Sequence, residues 1–67
     1  MNLNRAIELV ADDTRESTDP SMTDRQAIAS ARTITRADLA VVDDAKLREA
    51  YCAVLEASPS EIADALS

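Results

Sequence analysis

The chain has 67 residues, with thirteen acidic and seven basic side chains, no Gly, no His, no Phe and no Trp, and a single Tyr and Cys. A chain of this length holds one small domain at most. Average usage would supply about five glycines, and their absence excludes phosphate-cradling loops, Asn-Gly hairpins and EF-hand turns. The lack of His removes the commonest metal ligand and general base, and a formal charge of -6 repels nucleic-acid phosphate and anionic membranes.

The first predicted helix starts after Asn2, a good N-cap. Leu3, Ala6, Ile7, Val10 and Ala11 recur at helical spacing and define one apolar face. Leu9 lies off that stripe. Asp12 and Asp13 are placed at the end of this helix, with Arg15 offsetting their unfavourable charge there. Ser, Thr, Asp and Pro then crowd TRESTDPSMT, which reads as a loop over about 14–22 separating the first helix from the rest. Met22, just ahead of the next cap, fits a hydrophobic staple.

Three segments then open alike. Thr23 with Gln26, Thr35 with Asp38 and Ser58 with Glu61 each place a hydroxyl three residues before a side chain able to reach back, the pattern of a capping box. The second helix carries Ala27, Ile28, Ala31 and Ile34 on one face. The third, over about 36–42, is apolar nearly all round, which demands burial on more than one side. The fourth follows Asp43 and Asp44, either of which can cap it. It repeats the apolar spacing with Leu47, Ala50, Tyr51, Val54 and Leu55, and keeps Arg48, Glu49, Cys52 and Glu56 off that stripe. Asp44 and Arg48 are spaced for an ion pair. Pro59 opens the fifth, with Ile62, Ala63 and Leu66 inward. No stretch alternates with period two, so the expected fold is all-α: one compact array of about five short helices.

Each chemical feature has a structural reading beside it. Gln26 to Val42 resembles a helix-turn-helix, with Ala29 at the small position of its first helix, Ile34 at the apolar turn position, and Leu39 and Val42 at recognition-helix packing positions. Thr33 stands where that family usually has Gly, and Arg32 where it is often apolar. The resemblance implies DNA binding through Thr35, Arg36, Asp38 and Val41, but one Arg beside an Asp reads bases poorly. The carboxylate groups Asp12, Asp13, Glu16, Asp19 and Asp38, Asp43, Asp44 read as caps and solvated faces rather than a cation site. Cys52 has no His to activate it and reads as a small filler. Tyr51 anchors the core or a partner contact.

Fourteen large aliphatic residues, two Met and one Tyr make a thin core. Small scaffolds recover stability from disulfides, metals or partners, and one Cys without His leaves the last. The sequence therefore favours a non-enzymatic structural or adaptor subunit that docks by helix packing into a larger protein assembly, for instance a virus particle or multi-subunit machine, or that self-associates. Its contact residues are expected to be Leu9, Leu39, Val41, Val42, Tyr51 and Leu55. A helix-turn-helix DNA-binding regulator is the alternative. The third reading is an acidic nucleic-acid mimic, against which six Arg interrupt the acids. No cofactor, metal, small-molecule substrate or membrane is expected. The chain reads as cytoplasmic or part of an assembled particle, without signal peptide or transmembrane segment. Its Asp-rich, Lys-poor balance suits a halophilic host or a GC-rich genome.

Overall fold

The computed structural model describes every residue except Thr35, and Arg36 in its backbone only. Five α-helices follow one another with no strand among the described residues: α1 (Leu3–Ser17), α2 (Asp24–Ala31), α3 (Arg36–Ala40), α4 (Ala45–Glu56) and α5 (Pro59–Leu66). The expected all-α array is therefore the architecture found. No helix among the described residues is long and apolar enough to cross a membrane.

Capping residues set most helix starts. The Asn2 side chain accepts from the Arg5 amide at 2.8 Å, and Asp44 accepts from Lys46 and Leu47 at 2.9 and 3.2 Å. Thr23 with Gln26 and Ser58 with Glu61 form complete capping boxes, each satisfying two amides that a helix start leaves open. The hydrogen bonds from Ser58 hold the Glu61 carboxyl below its ordinary value. The third expected box, Thr35 with Asp38, lies outside the described residues.

α1 is the central element, packed against α4 on one side and α2 on the other. Its buried stripe of Ala6, Ile7, Val10, Ala11 and Thr14 meets Ala27, Ile28 and Ala31 of α2, Ala50, Tyr51 and Val54 of α4, and Ile62 of α5 in a single core. Five of these eleven buried apolar residues are alanines. Small Cβ groups let the helix backbones approach closely, so a continuous core forms from little side-chain volume.

Three boundaries differ from the sequence reading, each for a visible reason. α1 runs on to Ser17, so Thr14 to Ser17 belong to the helix and the linker begins at Thr18. Thr14 lies one turn beyond Val10 and Ala11, on the core face, and is buried. Ser17 and Thr18 hydroxyls donate back to the carbonyls of this last turn, satisfying groups that otherwise need water. Asp12 and Asp13 are accordingly mid-helix, and Arg15 pairs with Asp12 and with Asp24 at the start of α2. α2 stops at Ala31 rather than Ile34. Tighter turns follow, with Thr33 and Ile34 amides donating to Ser30 and Ala31, and Ile34 still packs on the core from that turn. α3 ends at Ala40, and Val41 and Val42 donate to Asp38 and Leu39. Two consecutive β-branched residues ahead of Asp43 and Asp44 extend a helix poorly.

Candidate partner-docking site

Thirteen of the seventeen large apolar side chains belong to the core or pack directly against it. The four that do not are Met1, Val41, Val42 and Leu55. Val41 and Val42 leave α3 directly after Ala40, and Leu55 is in the last turn of α4. Val41 is 76% exposed, Val42 and Leu55 are half-buried, and an open groove of about 590 Å³ runs between α3 and α4, lined by Leu39, Ala40, Arg48, Cys52, Leu55 and Glu56.

The construction of this face follows from the register of α4. Leu47, Ala50, Tyr51 and Val54 form its inward stripe, so Cys52 and Glu56 lie on the opposite side and Arg48 on the flank; Leu55, expected on the stripe one turn after Tyr51, lies at its edge, half-buried and outside the core. α3 has only five residues, too few to stand as an independent helix. Two ties hold it: Leu39 packs on the core, and the Arg48 guanidinium donates to the Val42 carbonyl. Arg48 is thus turned to the chain leaving α3 rather than toward Asp44, whose carboxylate is engaged in capping α4. The apolar surplus expected of the third helix is real but largely unburied: Val41 faces solvent, and Ala37 and Ala40 are exposed as well.

The six residues expected to meet a partner divide into two sets. Leu39 and Leu55 line the α3–α4 groove, and Val41 and Val42 follow α3 directly in the chain. Leu9 and Tyr51 do not. Leu9 is half-buried on the α1–α4 seam, beside Leu47. Tyr51 is 5% exposed and serves the core. Its hydroxyl donates to Asp13 at 2.7 Å. Burial, then the Asp13 carboxylate, raise the Tyr51 pKa above its ordinary value of 10.0. A raised folded-state value means that the contribution to stability is complete below that ordinary value and is lost as the pH climbs through the folded one. Tyr51→Phe is expected to cost about 1 kcal/mol at neutral pH and to flatten the alkaline fall in stability, as read by urea midpoints between neutrality and strong base. An unchanged alkaline limb would show that Tyr51 is not its source.

Four of the seven carboxylates singled out as clusters have individual structural uses: Asp12 pairs with Arg15, Asp13 accepts from Tyr51, Asp19 closes a turn onto Ser21, and Asp44 caps α4. Those bonds from Ser21 hold the Asp19 carboxyl below its ordinary value. Among the described residues no group of three or more Cys, Asp or Glu side chains converges as a metal site does. Cys52 is half-buried and unpaired, and lines the α3–α4 groove.

The helix-turn-helix positions are only partly arranged as that resemblance implies. Ile34, Leu39 and Val42 are half-buried, but Ala29, the small packing position, is exposed and lines a groove with Pro59, Ile62 and Ala63 of α5. Of the groove readers, Asp38 and Val41 are exposed, while Thr35 and the side chain of Arg36 lie outside the described residues.

Sequence reasoning missed Arg32. From the end of α2 its guanidinium donates to the carbonyls of Val54 and Ala57, both at 3.1 Å, across the end of α4. The one available signal was a missing one: a chain without Gly has no left-handed cap to offer that helix end.

Comparison with protein families, with characterised proteins and with solved structures finds no match to this chain.

Proposed function

We propose that this chain is a non-enzymatic helical subunit that works by docking its α3–α4 face against a helix of a partner chain in a protein assembly. The observation that carries this reading is that Leu55, left over by the core, lines an open groove between α3 and α4 with Leu39, Ala40 and Cys52, and that the exposed Val41 and half-buried Val42 follow Ala40 directly in the chain. Scattered exposed apolar residues need no explanation, whereas a contiguous group marks an interaction surface.

The make-up of the core supports the same reading. None of the six leucines is fully buried, so these side chains sit at the rim of the core, where a second surface would complete their burial. No disulfide closes the chain, since its one cysteine is unpaired, and a domain of this size generally needs a partner when it lacks such a staple. The opposite charges at the two ends of the groove, Arg48 and Glu56, suit a partner helix of mixed charge better than a polyanion.

The isolated chain is accordingly expected to unfold at modest temperature when dilute and to gain stability as its concentration rises or its partner is added, because only the folded form binds. Thermal melts followed by far-UV circular dichroism over a concentration series check this. A cooperative transition at high temperature, unchanged by concentration, would overturn the docking reading. Retention of duplex DNA that weakens as salt rises would replace it with the helix-turn-helix regulator.

A further inference from the structure

The outer stripe of α4 carries Arg48, Cys52 and Glu56 at successive steps of four, with Leu55 beside them. Such steps keep residues on one helical face. Arg48 and Glu56 therefore stand about 12 Å apart along the axis at 1.5 Å per residue, with the small, uncharged Cys52 midway between them. A stripe with a cation at one end, an anion at the other and a small residue at the centre is complementary to itself when reversed.

We propose that the partner seated at the α3–α4 groove is a second copy of this chain, paired through antiparallel α4 helices about a two-fold axis at Cys52. This rests on the docking reading above and names its occupant. In an isologous contact each residue after the axis meets the one equally far before it. Arg48 of each copy then faces Glu56 of the other, giving two identical ion pairs that bracket the contact. The thiol side chain at the axis is small enough for the helices to pack at the usual 8 to 10 Å, roughly the spacing of interlocked helical ridges. Leu39 and Leu55 fill the flanks, and Val41 and Val42 supply apolar area beyond the α4 stripe. A standard interface takes about 800 Å² from each partner. That is nearly a fifth of the 4410 Å² this chain exposes, so the pair needs the α3 end as well as α4. The charges also select the orientation: a parallel pairing would bring like charges together at both ends.

Sedimentation velocity of the full chain, from micromolar to millimolar concentration, tests the proposal, with circular dichroism confirming that each variant remains helical. The wild type is expected to pass from monomer to dimer. Glu56→Arg leaves the Arg48 tie to Val42 intact and is expected to weaken the dimer at least about tenfold. Arg48→Glu alone is expected to do the same. An equimolar mixture of the two single variants recovers dimer, because each end of the mixed pair again joins opposite charges. A wild type that stays monomeric throughout, a Glu56→Arg variant that dimerises as the wild type does, or a mixture no better than its components would overturn the pairing. Thermal stability separates this from failure of the docking reading. A labile monomer leaves docking onto a different chain in place, whereas a monomer stable at high temperature removes both.

Discussion

Ile28→Ala is expected to remove a large part of the folding free energy. Ile28 is 1% exposed and is the largest of the fully buried side chains. It lies on α2 between Ala27 and Ala31, facing a stripe of α1 in which two of the five buried residues are alanine. Truncating a buried isoleucine costs about 2 to 5 kcal/mol, with the larger values where the surroundings cannot relax into the space. Alanine-lined walls belong to that class, because their Cβ atoms move only if the helices move. The whole folding free energy of a 67-residue domain is about 3 to 10 kcal/mol, so this one substitution removes a large share of it. Ile34→Ala is the comparison. Ile34 packs on the same core from the turn after α2 but is only half-buried, and its loss is expected to cost about 1 kcal/mol. Urea unfolding followed at the helical band separates the two. Equal midpoints would show that the alanine-rich interface between α1 and α2 is looser than its packing indicates.

The same core explains how much of this fold was legible in the residues. Spacing alone places Ala6, Ile7, Val10, Ala11, Ala50, Tyr51 and Val54 on inward stripes, and all are buried. Hydroxyl and carboxylate spacing marks the starts of α2 and α5 as capping boxes that are present in full. Those signals are local: a cap or a stripe depends on neighbours within one turn. Helix ends were harder to place because this chain has no Gly to mark them. α1 continues through four polar residues, the first of which, Thr14, is buried on the core face where a helix distant in sequence covers it. Tyr51 was assigned to the core or a partner on the same local grounds, and the choice between them is made by Asp13 on another helix. Leu9 looked outward because it lies off the stripe of α1, yet the arrival of α4 half-covers it. The apolar surplus of the third helix, which ends in Val41 and Val42, was legible in the residues. That α3 would stop short and leave Val41 in solvent was not, since it depends on how Leu39 and Arg48 fasten a five-residue helix to the rest.

Arg32 carries the other large expected effect. An α-helix ends with carbonyls that have no intrahelical donor, and in most proteins a left-handed Gly turn helps to satisfy them. This chain has no Gly, and Ala57 leaves α4 in an extended conformation that leads straight into the Ser58 cap of α5. The Ala57 amide returns to Ala53, and Arg32 serves Val54 and Ala57 from a different helix. The guanidinium adds a positive charge at the negative end of the α4 dipole, so one side chain fastens α2, α4 and the α5 junction. Charge-assisted hydrogen bonds of this kind are each worth about 1.5 to 3 kcal/mol. Arg32→Met retains most of the apolar stem and deletes the donors, and is expected to lower stability by about 2 kcal/mol. The loss should also be local: amide exchange in α5 and the last turn of α4 should quicken more than exchange in the middle of α1. Arg25→Met, an exposed neighbour on α2, controls for the simple loss of a cation from this acidic chain and is expected to change stability by less than about 0.5 kcal/mol. If both variants shift the urea midpoint equally, Arg32 contributes only charge, and the end of α4 is held by its packing against α1 rather than by this reach across the helices.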